Sequence, residues 1–476
     1  MQFKHAPAAV SASFDDPNLV SAAGLVPIMK LAEKAGLRRL ADRWLSVPTD
    51  KGANAGLKVA SLVGGMVAGA DSIDDMALLR HGGMRKLFTS CYAPSTLGSF
   101  LRAFTFGHVR QLDAVAARFL QGLAAETPLL GSATDADDAD TDADADAGYV
   151  FLDVDDTIIE VHGHQKQGSG YGYSGVRGIN AILATATAPT SAPVIIAQRL
   201  RRGACGSPRG AARLIRDSLA TLRRLHGARN AQILVRADSA FYGHATIDAA
   251  ITAGAAVSVT TRMDPAIKRA IASIPDDAWE AIEYTDAVFD QTSKTWISTA
   301  EVAEVPFTAF TSRKKAEHIA GRLVVRRIPE LNQKNLDQPT LFDTHRFHAF
   351  FTTSTLGTVA ADKTHRGHAI IEQVNADMKN SALAHLPSGV FTANAAWLVL
   401  AVIAFNLTRA AATIAGTGLG KATTATIRRK LVTVPARIAS SARRITLHLP
   451  DRWPWKLAWT ALFEHVGGSP PPVSTI

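Results

Sequence analysis

Cysteine is almost missing from this sequence: 476 residues carry two, Cys91 and Cys205. They are too few and too far apart for a disulfide framework or a cysteine zinc site, and their scarcity suits a reducing, cytoplasmic setting. Long apolar runs are missing as well. The longest, "AAWLVLAVIAF" at 395–405, falls short of the roughly 20 residues that cross a bilayer and soon meets Asn406 and Arg409. A buried helix is expected there, and no membrane partner. The N-terminal "MQFKHAPAAVSASFDD" has no uninterrupted apolar core of the signal-peptide kind, and no internal repeat is visible. What remains is ordinary for a folded protein of several units, 47% apolar and 20% charged. The charge balance is tilted: 51 Lys and Arg against 42 Asp and Glu leave +9, which favours a polyanionic partner.

The chain changes rhythm twice. Residues 1–133 read as helical, and "APSTLGSFLRAFTFGHVRQL" suggests a helix capped by Ser95 or Thr96 that carries Arg102, His108 and Arg110. Residues 134–148, "TDADDADTDADADAG", form an acidic low-complexity linker that cannot bury enough apolar surface to fold. From 149 to 265 the order is strand, strand, strand, helix, strand, helix, strand. That succession suits a ribonuclease-H-like α/β core better than a doubly wound sheet, which would alternate from the start. Segment 266–347 reads as a β-rich insertion, 348–415 as the second part of the core with a long helix near "DKTHRGHAIIEQVNADMKN", and 416–476 as a basic, aromatic tail.

The chemistry concentrates in "YVFLDVDDTIIEVHG", where a buried strand carries Asp153, Asp155 and Asp156. Unpaired buried carboxylates are costly, so such a cluster implies a cation among them. Two enzyme classes would write this line. "FLDVDDTI" fits the signature of a haloacid-dehalogenase-type phosphatase with Asp153 as nucleophile, yet two more strands follow where that family has a helical crossover. A nuclease instead needs carboxylates from separate elements around two Mg²⁺ ions, which Mn²⁺ can replace. Asp238 in "ILVRADSAFYG" ends the fourth strand, and Glu372 lies on the late helix, where His365, His368, Glu372 and Lys379 share a face. Arg201, Arg202 and Arg236 fall near the expected active edge, as phosphate contacts or as solvated surface.

Taken together, "FLDVDDTIIEVHGHQ", "LRRGACGSPRGAARLI", "LVRADSAFY" and the Glu372 helix with "FTANAAWLVLAVIAFNLTRA" resemble a bacterial DDE transposase of the insertion-sequence type, most like insertion-sequence family 1380. The resemblance implies Asp155, Asp238 and Glu372 as catalytic metal ligands, with Asp153 a close contender for the first position. It implies double-stranded DNA, both inverted-repeat ends and target, as partner, a dimer on that DNA, and a nucleoid-associated cytoplasmic location. Related transposases carry Tyr-x2-Arg-x3-Glu-x6-Lys on the Glu helix; here His365 and His368 replace Tyr and Arg, while Glu372 and Lys379 remain. A catalytically inactive, DNA-binding descendant of a transposase is the other reading, and the complete acidic set speaks against it.

Overall fold

The computed structural model describes residues 4, 9–48, 50–131, 148–162, 165–172, 174–290, 295–329, 345–416, 418–441 and 444–469. The acidic linker expected at 134–148 lies outside them except for Gly148. One mixed sheet dominates the fold. Its strands are β1 (Tyr149–Glu160), β2 (Arg177–Thr187), β3 (Val194–Arg201), β4 (Gln232–Ala237), β5 (Ala256–Thr260), β6 (Glu280–Asp290), β7 (Thr295–Ala309), β8 (Ile319–Pro329) and β9 (His345–Thr352). In space they run β3, β2, β1, β4, β5, β9, β8, β7, β6, and Gly170–Tyr171 adds a short strand beside β2. Strand β2 is antiparallel to its neighbours β1 and β3, whereas β4 and β5 run parallel to β1. Segment 266–347 supplies β6 to β8, which continue this same sheet through β9, antiparallel to β5.

Strand β1 is central and covered on both faces, which explains its nearly continuous apolar start. Side chains alternate along it. Val150, Leu152 and Val154 enter the main core, while Tyr149 and Phe151 join Leu234, Val324, Phe350, Leu356 and Ala361 in a smaller core on the opposite face. Asp153 and Asp155 continue that second face, and Asp156 points the other way.

The N-terminal helices are α1 (Leu25–Lys34), α2 (Leu37–Trp44), α3 (Ala55–Ala68), α4 (Pro94–Arg102) and α5 (Phe106–Glu126). The single helix expected around 95–110 is two helices. Pro94 opens α4, and Thr105, in extended backbone, caps α5 by a reciprocal pair of bonds with His108. Arg110 is occupied by Asp113 at 2.9 Å and Asp217 at 3.4 Å. Next come α6 (Ala211–Leu222), α7 (His244–Thr252), α8 (Thr358–Arg366), α9 (Ile370–Lys379) and α10 (Phe391–Ala415). At 25 residues α10 is longer than its apolar run and passes the length and composition test for a membrane span, but 89% of its most apolar window is buried against the rest of the fold. It packs on α3, α5, β3 and α11 (Lys456–His465). The tail folds back onto the N-terminal unit, where Ala436–Ser441 pairs with Leu19–Val20 on one side and Arg444–His448 on the other.

Candidate active site

Two carboxylates meet at the C-terminal end of the parallel pair β1 and β4. Their register sets Asp153 against Arg236 and Val154 against Ala237, so the next step brings Asp155 level with Asp238. Strand β4 stops at Ala237 because Asp238 caps a short turn, its Oδ1 accepting from the Ala240 amide at 3.0 Å. Burial, with the Asp238 and Asp156 charges adding to it and the Asp156 amide and His368 opposing, pushes the Asp155 carboxyl up to about 6. Burial also raises Asp238, with the Asp156 charge adding to it. Two neighbouring acids that resist ionisation form a site that favours a cation.

Asp153 is differently placed. It is 0% exposed, and Arg236 grips it with two bonds, Nε to Oδ1 and Nη2 to Oδ2, both 2.8 Å. The His368 Nδ1 stands 2.9 Å from the same Oδ1. An ionised carboxylate only accepts hydrogen bonds, so Nδ1 carries the proton and Nε2 is the nitrogen left for other contacts. The Arg236 guanidinium also lies 4.3 Å over the Phe151 ring and donates Nη1 to the Thr364 carbonyl at 2.5 Å. It is buried, and the position expected to contact phosphate is an interior counter-ion.

Arg201 is interior too. Its Nη2 reaches Asp156 at 2.6 Å, its Nε reaches Asn180 at 2.8 Å, and Nη1 binds the carbonyls of Ser207 and Arg209. Asn180 adds a 2.5 Å bond to Asp156, so this third aspartate is consumed on the far face. Arg202 is exposed.

The long helix expected to carry the remaining residues is broken. Helix α8 ends at Arg366, Gly367–Ala369 makes a tighter turn, and α9 begins at Ile370. A β-carbon on Gly367 would sit 2.7 Å from the Arg236 Nη1, so glycine lets the turn close over the guanidinium. His365 consequently does not share the outer face. Its ring stacks on Phe350 at 4.0 Å, with Ser258 at 2.8 Å from Nδ1 and Thr260 at 3.0 Å from Nε2. Burial, aided by the charges of His368, Arg236 and Arg326, holds its pKa well below the usual imidazole range. A neutral, interior His365 makes no phosphate contact here.

His368, in the turn before α9, and Asn375, on α9 itself, both reach β1. His368 meets Asp153, and Asn375 donates Nδ2 to the Asp155 Oδ2 at 2.9 Å. Glu372 sits between them in sequence, in the first turn of α9, exposed, and with no hydrogen-bond or ion-pair partner among the described residues. Lys379 is exposed at the last turn. Among the described residues, no three His, Cys, Asp or Glu side chains converge closely enough to hold an ion. Asn375 escaped the sequence reading, although its place one turn after Glu372 is a signal that helical spacing carries. It is 5% exposed, and its Oδ1 is buried with no hydrogen-bond partner among the described residues.

This geometry disfavours an aspartyl nucleophile at position 153, since both of its oxygens are occupied and no substrate can reach them. The family model described as "Transposase DDE domain group 1" matches residues 4–469. No curated protein shows significant similarity to the chain.

Proposed function

The chain belongs to the transposases with a group 1 DDE domain, and from that premise we propose that it cuts the inverted-repeat ends of its own element and joins them to target DNA. Asp155, Asp238 and Glu372 are its acidic triad. The observation that carries this reading is the levelling of Asp155 and Asp238 where two parallel strands lie side by side, beside the helix that carries Glu372 and bonds Asp155 through Asn375. The order β3, β2, β1, β4, β5, antiparallel and then parallel, supports a ribonuclease-H-like core.

The donors fit a hard divalent cation. Two carboxylate oxygens that resist ionisation and one orphaned amide oxygen are the ligands that Mg²⁺ or Mn²⁺ prefers. Asp155 and Asp238 would hold such ions, two of them in the full site, with Glu372 joining from the exposed side. When bound, such an ion neutralises charge on the scissile phosphate and makes a bound hydroxyl a better nucleophile.

The protein's own residues do the positioning. Arg236 neutralises Asp153, and Asp153 fixes His368 so that its Nε2 is turned to substrate. Buried on both sides, this trio resists reorientation, which is what holding an attacking oxygen and a phosphate in line demands. Arg202 and Lys379, both exposed, contact the DNA backbone, together with the N-terminal helices and basic tail. Two copies act together on paired ends. Asp238→Asn is expected to abolish Mg²⁺-dependent cleavage of DNA bearing the repeats that flank the coding region, with end binding retained. Cleavage that persists in this variant refutes the triad.

A further inference from the structure

Asn375 holds a position that invites a ligand. Its side chain is buried at 5% exposure, pinned by a helix whose Ile371, Val374 and Met378 are also buried. One end of the amide is spoken for, Nδ2 donating to Asp155 at 2.9 Å. The carbonyl end of the same amide therefore lies beside Asp155, and it is the end without a partner among the described residues. Buried carbonyls are seldom left so.

We propose that Asn375 is a direct ligand: its Oδ1 joins Asp155 and Asp238 in the donor set of a divalent cation, before any DNA is bound. Glu372, one turn earlier and exposed, completes the site from the solvent side when substrate arrives. The inference rests on the reading of Asp155 and Asp238 as cation-holding. It explains how the DNA-free protein assembles three oxygen donors although Glu372 stands apart. A neutral amide also adds a ligand without adding a third negative charge.

The test is Mn²⁺ binding to the full chain without DNA, followed by electron paramagnetic resonance of the free ion at pH 8. Asn375→Leu, close in volume, is expected to weaken binding about tenfold or more, on the scale of losing a metal-site contact. Asn375→Asp keeps an oxygen and should bind as tightly as the wild type or tighter. Glu372→Gln should alter affinity less than about threefold, below the cost of a lost metal-site contact. Wild-type affinity in Asn375→Leu, alongside loss in Asp238→Asn, overturns the role of Asn375 and leaves the acidic pair standing. Absence of Mn²⁺ binding in the wild type overturns both. If Asn375→Leu does not fold, Asn375→Asp decides the matter, and weaker binding there counts against the proposal.

Discussion

Asp155→Asn should stabilise the metal-free protein, increasingly as pH rises from about 4 to 6 and in full above that. The carboxyl stands at about 6 in the folded chain against an ordinary value of 3.8. A carboxyl whose pKa is raised by folding contributes fully below its unfolded value and loses that contribution as pH climbs through the folded value. Well below pH 4 the group is protonated in folded and unfolded chains alike and carries no penalty. Above pH 6 it is ionised, buried and beside Asp238, at a cost of about 3 kcal/mol. Asparagine cannot ionise, keeps the shape, and still offers an oxygen to the Asn375 Nδ2. The stability difference between variant and wild type should therefore be near zero at pH 3, about 1 kcal/mol at pH 4.5 and about 3 kcal/mol at pH 8. For a chain of this length that is about 3 °C in melting temperature, taking a typical unfolding entropy per residue. Differential scanning calorimetry in EDTA across this range measures it. A difference that does not change with pH refutes the reasoning. Mn²⁺ at one hundred times its wild-type dissociation constant should narrow the difference at pH 8, adding about 2.7 kcal/mol to the wild type and less to the variant.

Arg236→Met should be among the most destabilising single changes, since it strands Asp153 as a buried, uncompensated charge at a cost of about 3–5 kcal/mol; urea unfolding measures it, and a loss below 1 kcal/mol contradicts the interior role. Asp153→Asn is expected to lower the rate of end cleavage by roughly 10–100-fold through loss of His368 orientation, with DNA affinity unchanged; a parallel loss of affinity would place His368 in binding instead. Arg202→Ala and Lys379→Ala should each reduce the slope of log affinity against log salt by about one, as read by fluorescence anisotropy. An unchanged slope removes that residue from the DNA surface.

Much of the fold was legible because its signals are local. Period-two alternation and β-branched runs marked β1 to β5 in order, and the parity of β1 separated Asp156 from Asp153 and Asp155. The partners of these aspartates were not legible. Arg236 and Arg201 look in sequence like any basic residue near an acidic site, and only the register of β1 with β4 and of β2 with β3 shows that each is spent on one carboxylate. The break at Gly367 was equally hidden. Glycine inside a helical pattern is tolerated, and its reason here is a guanidinium from a strand more than a hundred residues away. His365 followed from that error, since a continuous helix would have put it outside. Thr105 shows the converse: its cap with His108 is local, and the longer apolar pattern obscured it.

Glu372 is the member of the triad that the structure leaves apart, and it offers the most direct test. Wild-type protein and Glu372→Gln should be compared on a duplex carrying the flanking inverted repeat, in Mg²⁺ and in EDTA, with strand cleavage mapped to the nucleotide. The account predicts cleavage at the repeat boundary by the wild type in Mg²⁺ alone, and a loss of at least about a hundredfold, some 3 kcal/mol of transition-state stabilisation, in Glu372→Gln with binding intact. Cleavage at the wild-type rate by Glu372→Gln, or by the wild type in EDTA, would contradict it.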